Sequence, residues 1–203
     1  MSRICRNLAA LGFILAAPIH ATLAQASADT ARKTYNTADV SFVSGMISHH
    51  AQAVLMAGWA PTHGASASIR SLCDRIVVAQ NDEIAVMQRW LRERHLPVPP
   101  PDPRGEVMPG MDRPMPMPGM LTPPQMAQLD SARGPAFDHL FLADMVQHHR
   151  GAITMVNQLL DANAARDPLV FQMASDINAD QTAEIGRMTR MLDAMTQTQR
   201  SSQ

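Results

Sequence analysis

Apolar residues recur at helical spacing along two long stretches of the chain. Phe42, Met46, Ala53 and Ala57 fall on one stripe at about 100° per residue, and Ile76, Gln80, Glu83, Met87 and Leu91 fall on another. Both stretches then return. Asp39, Phe42, Met46, His49, His50, Ala53 and Met56 recur at an offset of 99 as Asp138, Phe141, Met145, His148, His149, Ala152 and Met155. Ile76, Gln80, Glu83, Ile84, Met87 and Leu91 recur at an offset of 101 as Ile177, Gln181, Glu184, Ile185, Met188 and Leu192. The change of offset falls between the two stretches, which places turns at 58–66 and 161–168.

The repeated unit is therefore a helical hairpin, expected over 36–96 and again over 135–197. One hairpin cannot bury both of its faces. Two hairpins that pack their apolar stripes together give an all-α four-helix bundle, the simplest architecture for this pattern. Between them, 97–121 is rich in Pro and Met, carrying Met108, Met111, Met115, Met117 and Met120, and cannot be regular helix or central strand. A short linking helix is predicted over 122–134, with Thr122 as N-cap and Pro123 in its first turn, packing across the bundle.

The N-terminus has the layout of a signal peptide over 1–26: Arg3 and Arg6, an apolar run over 8–18 too short to span a bilayer, then Ala24, Ala26 and Ala28 as small residues for cleavage. A periplasmic or secreted protein is expected, with no membrane attachment after cleavage. Removing that segment leaves Cys73 as the single cysteine, so no intramolecular disulfide is available and stability must come from packing or metal. Cys73 reads as a small buried hydrophobe.

A formal net charge of −1 and only 17% charged residues leave no electrostatic footprint for nucleic acid. Methionine is abundant at 16 of 203 residues, while aromatics make up 4%, so the polarizable side chains are mainly thioethers. Imidazole suits copper, zinc, iron and nickel, whereas thioether selects soft ions such as Cu(I). A helix face offering both points to copper, as Cu(I), Cu(II) or both. The candidate ligands are His49, His50, Met46 and Met56 in the first copy, and His148, His149, Met145 and Met155 in the second. Glu83 and Met87, with Glu184 and Met188, stand on the second helix of each hairpin; each carboxylate either ligates metal or fixes a histidine tautomer. The connector methionines could capture Cu(I) or be compositional drift in a linker. His63, His95 and His139 read as surface residues, with His95 the best placed as an extra ligand.

The segments Asp39-x-x-Phe42-x-x-x-Met46-Ile47-x-His49-His50 and Asp138-x-x-Phe141-x-x-x-Met145-Val146-x-His148-His149, each followed by Ala-x-x-Met, resemble the bacterial domain-of-unknown-function family numbered 305 over most of the chain beyond the signal segment. The resemblance implies a ferritin-like four-helix bundle, periplasmic or secreted, in a family some of whose members bind copper through Met and His and support copper tolerance; it does not imply catalysis. The copies depart from each other at Gly45 opposite Asp144, and at Ala51-Gln52 opposite Arg150-Gly151.

The expected function is copper buffering, storage, delivery or tolerance, with copper ions as partners and a second copy of the chain or a metallochaperone as candidate protein partners. A ferritin-like metal oxidase would need Glu-x-x-His pairs, but Val86 and Arg187 stand three residues after Glu83 and Glu184. A non-metal helical interaction module would have purely structural histidines. No nucleophile elbow or Ser-His-Asp motif stands out.

Overall fold

The first helix begins where Asn36 can cap it. Asn36 Oδ1 accepts from Asp39 N and Asp39 Oδ2 accepts from Asn36 N, a reciprocal box that satisfies donors the helix itself leaves unpaired. In the computed structural model, which describes residues 34–105 and 117–201, the described residues form five helices and no strands. These are α1 (Thr37–Gly58), α2 (Ala67–Glu93), α3 (Pro123–Ser131), α4 (Pro135–Asp161) and α5 (Pro168–Ser201). None of them is long and apolar enough to cross a membrane. The expected signal segment and Met108, Met111 and Met115 lie outside the described residues.

The helices α1 and α2 form one hairpin and α4 and α5 the other, and the hairpins meet through α1 and α4. The linking helix α3 lies against α1 and α4; Thr122 caps it, with prolines in its first turn, and it stops at Ser131 rather than Gly134. Two apolar clusters fill the bundle. One holds Ala53, Ile76, Phe137, Met145, Val146 and Met188; the other holds Phe42, Met46, Ile47, Ile84, Met87, Ala152 and Ile177. The N-terminal half of α1 thus shares a cluster with the C-terminal half of α4, so these helices run antiparallel.

The repeated aspartates lock the hairpins to each other. Asp39, at the start of α1, accepts from the backbone of Arg166 and Asp167 just ahead of α5. Asp138, at the start of α4, accepts from Ser66 N, the N-cap of α2. Each hairpin thereby satisfies backbone donors of the other, and at the buried Asp167 N an unmade hydrogen bond would cost about 1–3 kcal/mol. Arg94 reinforces the first clasp: its Nη2 lies 2.6 Å from Asp167 Oδ2 and its guanidinium sits 4.3 Å over the Trp90 ring. Cys73 is buried in the first cluster, where burial and the nearby Asp74 and Asp138 charges push its thiol up to about 12.

Candidate metal centre

Between the two apolar clusters the bundle carries a polar layer. Along α1 the clusters change over from Ile47 to Ala53, along α4 from Val146 to Ala152, along α2 from Ile76 to Ile84, and along α5 from Ile177 to Met188. Into those intervals fall His49 and His50, His148 and His149, Gln80, and Gln181 with Glu184, every one of the histidines and glutamines at most 2% exposed.

Adjacent residues on a helix point about 100° apart, so a His-His pair serves two directions. His50 and His149 turn inward to their own hairpins: His149 Nε2 lies 2.6 Å from Glu184 Oε2, and His50 Nε2 lies 2.8 Å from Glu83 Oε2. The second-copy contact is an aligned hydrogen bond, whereas the first is close enough for one but is not aligned. His49 and His148 turn instead across the hairpin interface and meet ring to ring, with centroids 3.9 Å apart. His49 Nε2 also lies 2.9 Å from the carbonyl oxygen of Pro118.

A carbonyl oxygen only accepts, so His49 carries its hydrogen on Nε2 and its lone pair on Nδ1. The Glu184 contact orders His149 in the same way. The Nδ1 atoms of His49, His50, His148 and His149 have no partner, and neither does Nε2 of His148. Burial, then the neighbouring His50, lowers the His49 pKa to about 3, against the hydrogen bond it donates to the Pro118 carbonyl. Burial, then His49, holds His148 well below the usual range. His49 and His148 are therefore neutral imidazoles, the form in which histidine binds metal. Among the described residues, no three His, Cys, Asp or Glu side chains converge on a point that could hold a metal ion, so a shared ion would require the rings to rotate.

The other expected ligands are distributed unevenly. Met46 and Met145, both fully buried, stand one helical turn before His50 and His149, in the clusters bordering the layer. Met56 and Met155 lie seven residues past His49 and His148, about 10 Å along the helix axis, and Met155 lines a surface cleft with Phe42 and Leu159. Met87 and Met188 stand one turn beyond Glu83 and Glu184. His95 and His139 are exposed, but His63 is buried, which corrects its reading as a surface residue. The turn after α1 folds under α3, so His63 Nε2 reaches the Asp130 carbonyl at 2.8 Å while its ring stacks on Trp59.

Four contributors were missed in the sequence. The end of the connector, 117–122, crosses the bundle as a strap and supplies the Pro118 carbonyl. Gln52 grips it, accepting from Leu121 N at 2.7 Å and donating to the Leu121 and Pro103 carbonyls. Opposite, Gly151 makes room: a Cβ there would stand 2.0 Å from the Pro118 carbonyl oxygen. The departure of Ala51-Gln52 from Arg150-Gly151 was the available signal. The fourth contributor is Asp180, which stands where the first copy has Ala79. Burial, then the charges of Glu83, Glu184 and Asp176, raises its carboxyl pKa.

The model of the family described as Domain of unknown function (DUF305) matches residues 39–201. Among solved structures, a DUF305 fragment from Deinococcus radiodurans is similar at 29% identity and TM-score 0.66, covering 79% of this chain and 98% of that one. A DUF305 protein of Streptomyces coelicolor assigned as secreted is similar at 27% identity and TM-score 0.65, covering 78% and 94%. CopM in its Cu(II)-bound form is similar at 25% identity and TM-score 0.60, and in its Cu(I)-bound form at 26% and 0.59, each covering 77% of this chain and 96% of that one. No curated protein matches the chain. With the match running from the first repeated aspartate to the end of α5, the chain belongs to the DUF305 family.

Proposed function

We propose that this is an exported copper-binding protein that holds copper in the histidine layer and serves in buffering, storage, delivery or tolerance rather than catalysis. The observation that carries the reading is the set of buried imidazoles whose Nδ1 atoms have no partner. A purely structural polar layer would satisfy those atoms, since each one left unmade costs about 1–3 kcal/mol. The ligands are His49, His50, His148 and His149, with Met46 and Met145, one helical turn before His50 and His149, as thioethers. Glu83 and Glu184 orient His50 and His149, as a carboxylate behind a ligand histidine does. The chemistry of the layer and the likeness to CopM, whose structures include Cu(I)- and Cu(II)-bound forms, support copper over zinc or iron. The N-terminal segment and the likeness to a secreted family member support export.

The test is titration with Cu(I) under a competing chelator, alongside Cu(II), Zn(II) and Fe(II). Tight copper binding that is lost on changing both His pairs to Ala, with helicity retained, is the expected result. Undiminished binding in that variant would move the site to the connector methionines, and binding of iron alone would overturn the copper reading.

A further inference from the structure

The strap seals one side of the histidine layer, with Pro118 on His49 and Leu121 held by Gln52. The opposite side is built differently. The helices α2 and α5 each pack on a central helix but share no extensive seam, and a cavity of about 310 Å³ lies between them. Gln80, Glu83, Asp180, Gln181 and Glu184 line it, with Arg75 and Arg187 also on its wall, so three carboxylates stand against two guanidiniums. A second cavity of about 180 Å³ shares the Glu83 wall and adds Met87 and Met173.

Two features distinguish this groove from a chance gap between helices. Gln80 and Gln181 are each 2% exposed, line the larger cavity, and have side-chain oxygens with no partner. Glu83 and Glu184 are 23% exposed, so each carboxylate meets the groove while also contacting a fully buried imidazole. The repeat offers this arrangement twice, and Asp180 adds a charge that the first copy lacks.

We propose that the groove between α2 and α5 is the port through which a hydrated cation reaches the histidine layer. In it the carboxylates of Asp180, Glu83 and Glu184, with the amide oxygens of Gln80 and Gln181, attract the cation through its water shell before it passes inward. The proposal deepens the copper reading above and rests on it for the identity of the cargo. With three carboxylates against two guanidiniums the groove stays net negative, and a net negative cleft raises the local concentration and association rate of a cation, an effect that salt suppresses.

Uptake of Cu(II) by the whole protein at low ionic strength, followed by quenching of Trp59 and Trp90 fluorescence, measures the port. Asp180→Asn removes charge from the groove, and Ala183→Lys places a cation on its wall at an exposed helix position. Both should slow uptake about tenfold with stoichiometry unchanged, and the difference should shrink in high salt. Ala127→Lys, exposed on the strap side, should leave the rate as it was. An unaltered rate in Ala183→Lys, or equal slowing in Ala127→Lys, would overturn the proposal. Mn(II) separates this from failure of the copper reading. If the unaltered protein takes up no copper, that reading falls, and the groove is judged by whether broadening of the Mn(II) EPR signal on adding protein is lost in Asp180→Asn, which supports the port, or persists, which overturns it.

Discussion

Asp39 accepts a hydrogen bond from the backbone of Asp167, 128 residues further along the chain. It serves Asn36 and Arg166 as well, whereas its repeat partner Asp138 serves Ser66 from both carboxylate oxygens. Asp39→Ala should therefore destabilise the fold by about 1–3 kcal/mol, and Asp138→Ala by less. Urea unfolding of the two variants checks the order, and equal losses would show that the number of backbone donors does not set the strength of the clasp.

Gly151→Ala tests the strap. With a Cβ 2.0 Å from the Pro118 oxygen, backbone would have to move, since neither atom belongs to a flexible side chain. A loss of about 1–3 kcal/mol is expected, as for overpacking elsewhere, together with faster proteolysis within the connector. A variant as stable as the parent with the connector still protected would mean that the strap sits elsewhere in solution.

Acid should weaken the metal-free protein. Folded His49 takes a proton only near pH 3, and His148 also binds one well below its ordinary value, whereas the unfolded chain binds both near 6.5. The unfolded state thus holds more protons as pH falls below 6.5, and each histidine removes on the order of 1 kcal/mol of stability per pH unit until its folded-state pKa is reached. Urea midpoints at pH 7.0, 5.5 and 4.5 should decline, and less steeply in His49→Gln. A flat profile would contradict the neutral layer.

Glu184→Gln should weaken copper binding more than Glu83→Gln does. The Glu184 contact with His149 is an aligned hydrogen bond, and the Glu83 contact with His50 is not. Loss of such a support typically costs 10–100-fold in affinity. Competition titrations read the ratio directly, and a larger effect at Glu83 would reverse the assignment.

The pairing of hairpins was readable because Phe42, Met46, Phe141 and Met145 carry both the helical period and the repeat. The two-way use of each His-His pair also follows from helix geometry once the helices are granted. Pro118 was unreadable as a histidine partner because a backbone carbonyl leaves no mark in residue identity, and the close pass at Gly151 depends on where a non-repetitive segment crosses. His63 was misread because a lone histidine in a turn looks solvent-facing until α3 and Phe137 close over it. The large separation of Met56 and Met155 from the layer was already implicit in the rise per residue, but a helical wheel collapses that axis.

The strap also makes His49 and His148 chemically unlike. They are the same position of the repeat, yet one is held by a carbonyl on its Nε2 and the other makes no aligned hydrogen bond from either nitrogen. An ion placed between the hairpins would sit on no two-fold axis. Its two ends would differ, the imidazole held by the Pro118 carbonyl being the more basic and the more fixed of the two.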